Sequence, residues 1–169
     1  MGNLMRGAWV VLWLSWTSIC CADPAQSISA FRHEHGLSNV RIDPTLMRLA
    51  REQAEAMAAA NKLDHDVRVS FASRITAYPT DHAAENIAMG NTTFSATFEQ
   101  WKGSAGHRAN LLIRDVSRIG IASAGSGART YWSLILAAAP KPRRPLRSIA
   151  VVRPVDFMQA LKDSLRLPH

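Results

Sequence analysis

The chain is nearly without cysteine: of its 169 residues only Cys20 and Cys21 carry thiols. Both fall within the first 22 residues, so residues 23–169 can close no disulfide and a fold there must rest on an apolar core. Roughly 115 residues suffice for that. Long apolar runs are also missing. The run from Gly7 to Ile19 is too short to cross a bilayer as a helix, whose minimum is about 17 residues. Arg6 precedes it and Cys20-Cys21-Ala22 follows, with small residues at the −3 and −1 positions of a cleavage site. This is the pattern of a cleavable signal peptide, which predicts a secreted or periplasmic protein beginning at Asp23. An uncleaved anchor is the alternative reading. A lipid-modified cysteine is disfavoured, because Thr17-Ser18-Ile19 lacks the aliphatic residue three places before the cysteine and the small one just before it. No internal repeat is present, and the length leaves room for one domain with short appendages.

An excess of one charge is lacking over most of the chain. Residues 23–139 hold 12 Lys and Arg against 11 Asp and Glu, whereas residues 140–169 hold 7 against 2. The net charge of +7 is therefore concentrated in the tail, and the pI near 10.2 does not mark a nucleic-acid-binding domain. Pro140-Lys141-Pro142-Arg143-Arg144-Pro145 supports neither helix nor central strand and divides the two parts. Beyond Pro154, Phe157, Met158, Leu161 and Leu165 suit a short amphipathic helix. Such a basic end either rests on its own domain, hangs as a tail, or contacts anionic surfaces. The division is thus 1–22 signal, 23–139 domain and 140–169 basic linker and tail, and the protein is expected to be a monomer.

Within the domain a short helix is predicted from Ser27 to His35, ended by Gly36 in a left-handed cap. The clearest helix starts at Asp43-Pro44, with Leu46, Leu49, Ala50, Gln53, Ala54 and Met57 on one face as far as Asn61. Residues 64–83 are polar and irregular, with a helical turn or two between Phe71 and Tyr78. Glu85 to Gly90 reads as a strand. Thr93 or Ser95 can cap a helix that turns Phe94, Phe98 and Trp101 to one core and ends near Gly103 to Gly106, with Gly106 supplying a tight turn. Ile119 to Ala122 and Tyr131 to Leu136 read as strands joined through Gly125-Ser126-Gly127.

Three motifs in order carry more information: Leu63-Asp64-His65, Ala84-Glu85-Asn86-Ile87, and Trp101-Lys102-Gly103-Ser104-Ala105-Gly106-His107-Arg108-Ala109-Asn110-Leu111-Leu112. The last resembles the W-x-x-S-x-G-H-R-x-N-L/I-L signature of the bacterial form of the CAP (SCP/PR-1-like) superfamily, and Arg118-Ile119-Gly120-Ile121 and Tyr131-Trp132 follow at the expected distance. The resemblance runs from about Ser27 to Leu136. It implies an α+β fold, a three-layer α-β-α sandwich with a central, mainly antiparallel sheet, and a cleft lined by His65, Glu85 and His107. Many eukaryotic members place a second Glu where this chain has Ser104. The bacterial form commonly shares that serine, but a mechanism needing two cleft carboxylates loses one of them.

Taken on their own chemistry, these residues leave three possibilities open. His65, His107 and Glu85 are a chemically suitable set for Zn2+ or another divalent cation, with water completing the shell. Against this, no H-E-x-x-H or C-x-x-C spacing is present. A cleft hydrolase, peptidase-like, would use Ser104, His107 and Glu85, since a Ser and a His three residues apart can touch, although no nucleophile-elbow sequence is seen. The third possibility is a hydrogen-bonded network holding the layers in register, as in a pure protein-interaction module. The balance favours a largely non-catalytic protein that binds a cation, an envelope or extracellular ligand, or both. His82, Arg108, Asn86, Asn110, Trp101 and Trp132 have structural readings: loop or rim residues for the first four, core anchors for the tryptophans.

Overall fold

The computed structural model describes residues 23–141; the leader and the tail helix predicted above lie outside the described residues. Asp23 begins the first helix, α1 (Pro24–Glu34), by accepting a hydrogen bond from the Ala25 amide, with proline at the start of the helix. The helix therefore opens three residues before the Ser27 start expected from its apolar spacing. The signal was present as Asp23-Pro24, the same pair that begins α2 at Asp43-Pro44. A two-residue strand, β1 (Arg41–Ile42), leads into α2 (Pro44–Ala60), which Asp43 caps through the Thr45 and Leu46 amides and Asn61 ends in the left-handed region at φ 50°.

The short α3 (Phe71–Ile75) follows, then β2 (Ala83–Met89), α4 (Phe94–Gly103), α5 (Ala105–Leu111), β3 (Val116–Ala124) and β4 (Tyr131–Ala138). Of the two expected caps for α4, Thr93 is the one used. The turn expected at Gly106 is replaced by α5. The chain breaks instead at Ser104, whose backbone is extended, and Gly106 lies inside the new helix without positive φ.

The four strands form one sheet in the order β1-β3-β4-β2, parallel between β1 and β3 and antiparallel elsewhere. Helices cover both faces. On one, Ile28 of α1, Phe98 and Trp101 of α4 and Leu111 of α5 pack with Ile119, Ile121, Leu134 and Leu136. On the other, Leu46, Leu49 and Ala50 of α2 pack with Ile135 and Ala137, and Met57 with Ile87 and Tyr131. Strand alternation produces this division, since successive side chains leave a strand on opposite faces. The result is the expected three-layer α-β-α sandwich, with a mixed sheet that is mainly antiparallel. The strand of Arg118-Ile119-Gly120-Ile121 needs its glycine. A Cβ on Gly120 would lie 2.0 Å from the Leu46 carbonyl carbon, so α2 rests directly on the sheet there.

One feature of the helix layer gave no signal in the sequence. Arg32 is fully buried, and its guanidinium donates to the carbonyls of Ser38, Leu111, Ile113 and Val116 at 2.7–2.9 Å. It satisfies the carbonyls at the end of α5 and ties that helix to α1, with its charge offset by those dipoles.

Candidate functional site

The three motifs meet at β2, an edge strand of the sheet. Glu85 and Asn86 are neighbours on β2 and leave it on opposite faces. Glu85 turns toward the α2 side and holds the loop that carries His65. Asn86 turns toward α5, donating to the His107 carbonyl at 3.1 Å and accepting from Asn110 at 2.8 Å. The dipeptide thus fastens both histidine-bearing segments to one strand.

Glu85 is buried, and each of its carboxylate oxygens is taken twice. Oε1 accepts from Arg74 Nη1 at 3.0 Å and from Ser133 Oγ at 3.1 Å; Oε2 accepts from Arg74 Nη2 at 3.0 Å and from His65 Nδ1 at 2.9 Å. A carboxylate offers only lone pairs, so Nδ1 of His65 carries the proton in this contact. In the neutral ring Nε2 is then left with a free lone pair, and the His65 side chain is 47% exposed. The backbone of His65 is held as well. Gln53, buried on α2, donates to the carbonyls of Asp64 and His65, and Arg74 Nη2 donates to the His65 carbonyl at 2.9 Å.

His107 sits half-buried on α5. Its Nδ1 is shut off from water and has no hydrogen-bond partner. Burial, and secondarily the proximity of His65, hold its pKa below the ordinary 6.5, so the ring is kept neutral with a lone pair available. Ser104 begins α5 half-exposed, makes no capping bond, and is not joined to Nδ1 of His107.

Of the other residues singled out in the sequence, His82 is exposed and pairs with Asp115, and Arg108 is exposed with a contact to the Lys102 carbonyl. Trp101 is a fully buried anchor whose indole donates to the Ile87 carbonyl, and Trp132 donates to the Asn91 carbonyl. Arg74 was not foreseen as a site residue. Its place in the irregular stretch 64–83 hid its role, and only an Arg one turn into a capped helix, near a lone carboxylate motif, hinted at it. Among the described residues no cluster of three or more His, Cys, Asp or Glu side chains is gathered to hold a metal ion.

The family model for CAP, the cysteine-rich secretory protein family, matches residues 26–136. The chain belongs to the CAP family. It is 34% identical over 114 residues to YkwD, an uncharacterized protein of Bacillus subtilis (strain 168), a match covering 62% of this chain and 42% of that protein. The chain thus spans less than half the length of that relative. Among solved structures, an outer surface protein of Borrelia burgdorferi superposes with a TM-score of 0.62 at 20% identity, covering 68% of this chain and 89% of that one. An extracellular protein containing an SCP domain from Bacillus anthracis superposes with a TM-score of 0.60 at 22% identity, covering 68% of this chain and 38% of that one. At those identities the likeness shows the fold: this CAP domain has the same α+β sandwich.

Proposed function

We propose that this CAP-domain protein is exported and non-catalytic, and that its cleft holds a divalent cation, best matched by Zn2+, between His65 and His107 for contact with an envelope or extracellular ligand. The observation that carries the proposal is the pair of imidazoles with unspent lone pairs: Nε2 of His65, freed by the Nδ1 contact with Glu85, and the buried, partnerless Nδ1 of half-buried His107. Neutral imidazole is a good ligand for borderline ions. Glu85 then serves behind His65 as the outer carboxylate that fixes its tautomer, an arrangement common at histidine-bound metals. Two protein nitrogens and water make a weaker site than three protein ligands, with Ser104 as a polar neighbour on α5. Export is supported by the apolar run Gly7–Ile19 and by the outer-surface and extracellular descriptions of the two structural relatives.

The test is Zn2+ titration of the purified chain against a chromophoric chelator, beside His65→Ala and His107→Ala. Uptake of one Zn2+ lost in both variants supports the proposal. No uptake at neutral pH, or uptake unchanged in both variants, overturns it.

A further inference from the structure

Among the described residues α3 is the only α-helix with no buried side chain. Its two large apolar residues, Phe71 and Ile75, lie one turn apart. They rest on the cluster of Leu46, Leu49, Ile135 and Ala137 but are only half-buried. A groove of about 420 Å3 opens beside them, lined further by Tyr78, Pro79, Thr80 and Ala83. Asp81 is the only charged residue among those that line it.

The chain leaves the sheet along this groove. Just past β4 the Ala138 amide donates to the His82 carbonyl at 2.9 Å. Three residues later the Lys141 amide donates to the Pro79 carbonyl at 2.8 Å, and its ammonium pairs with Asp81. As the chain advances from 138 to 141 its partner recedes from 82 to 79, so the next step carries it past Tyr78 toward Ile75. Residues 142–169 lie outside the described residues, and they open Pro142-Arg143-Arg144-Pro145-Leu146-Arg147-Ser148-Ile149. Pro142 and Pro145 favour extended chain, which rises about 3.1 Å per residue. Leu146, five residues beyond Lys141, therefore reaches about 15 Å, twice the roughly 7.5 Å length of α3.

We infer that residues 142–152 fold back as a strap along α3, with Leu146 and Ile149 seated in the groove against Phe71 and Ile75. Removing these apolar side chains from water drives the contact. No cation lines the groove to repel Arg143, Arg144 and Arg147, and Asp81 already holds Lys141 at its mouth. Anchored there, the strap is present at an effective concentration of roughly millimolar, which favours it over a foreign ligand. Because α3 carries Arg74 to Glu85 and to the His65 carbonyl, the strap braces the helix that supports His65.

The experiment is amide hydrogen exchange of the full chain, read by mass spectrometry. It compares wild type with the double variant Leu146→Ser/Ile149→Ser and with the conservative Leu146→Met/Ile149→Val. The substituted positions lie beyond the described domain, and exchange in β3 and β4 verifies that the domain stays folded. Residues 71–78 are expected to exchange at least about tenfold faster in the serine variant and at the wild-type rate in the conservative one, with β3 and β4 unchanged in both. Exchange of 71–78 in the serine variant within about twofold of wild type overturns the strap. Equal acceleration in both variants also overturns it, since apolar burial would then not be the cause. Wild-type protection of 71–78 that rises with protein concentration assigns the groove to a second copy. Protection that appears only with phosphatidylglycerol vesicles assigns it to a lipid surface, and either result overturns the intramolecular contact.

Discussion

Replacing Gly120 by alanine places a methyl group 2.0 Å from the carbonyl carbon of Leu46, 2.2 Å from its oxygen and 2.3 Å from the Met47 nitrogen. Every one of these is a backbone atom, so no side-chain rotamer relieves the clash. Helix α2 must retreat by roughly 1.5 Å to regain van der Waals distance from the sheet. Overpacking that side chains can absorb costs about 1–3 kcal/mol; a helix displaced as a body belongs at or above the top of that range. Leu46, Leu49, Ala50 and Met57 all lose contact with the sheet together. The expected loss is at least about 3 kcal/mol, equivalent to roughly 10 °C in Tm for a domain of this size. Because Gln53 on α2 supports the carbonyls of Asp64 and His65, Zn2+ uptake at the proposed cleft site should fall with stability. Urea unfolding followed by circular dichroism measures the first effect. Gly106→Ala is the control of opposite sign: its Cβ would point into open space inside α5, where alanine is favoured over glycine by about 0.5–1 kcal/mol. A Gly120→Ala loss below about 1 kcal/mol, or a larger loss at Gly106, would refute the close helix–sheet contact as the reason for glycine at 120.

Arg32→Met should destabilise the fold by about 3 kcal/mol in the same urea assay, because it orphans the buried carbonyls of Leu111, at the end of α5, and Val116, at the start of β3, rather than removing one surface contact. The depressed pKa of His107 means that the unfolded chain binds a proton more readily than the fold. Its contribution is therefore fully present above the unfolded value of 6.5 and is lost as pH falls through the folded value. Urea midpoints should drop on going from neutral pH to about pH 5, and His107→Gln should remove part of that slope. Ending the chain after Lys141 removes most of the basic tail while keeping the hydrogen bond that the Lys141 amide donates to the Pro79 carbonyl and the pairing with Asp81. Cooperative unfolding should survive this truncation, while retention on anionic vesicles at low salt should fall; equal retention would leave the tail without a role in surface contact.

The elements that the sequence made legible are those whose signals are local. Asp43-Pro44 before a regular apolar face marked α2, alternation and a glycine turn marked β3 and β4, and the Trp101–Leu112 motif pointed to the family. What it left hidden depends on distant partners. Arg32 resembles any helix-surface arginine until the end of α5 is placed against it. Arg74 lies in a stretch without periodicity, and its role exists only because folding brings α3 to β2. Helix α5 is hidden because the small-residue run Gly103-Ser104-Ala105-Gly106 outweighs a weak helical pattern; tertiary packing of Leu111 decides it. His65, Glu85, Ser104 and His107 were nameable from the motifs, but which of them are tied up by neighbours and which keep an unpartnered ring nitrogen was not. That division follows from strand alternation at Glu85-Asn86 and from the saturation of Glu85, neither of which spacing alone encodes.

The most direct test of the site is a crystal of the protein soaked in Zn2+, with anomalous scattering recorded on both sides of the zinc edge. The account predicts one zinc peak bound to a ring nitrogen of His65 and a ring nitrogen of His107, at the usual Zn–N distance of about 2.0–2.1 Å, with Glu85 still held by Arg74 behind His65. A zinc peak bonded directly to a Glu85 oxygen, or no peak between the two histidines while zinc occupies other surface sites, would contradict it.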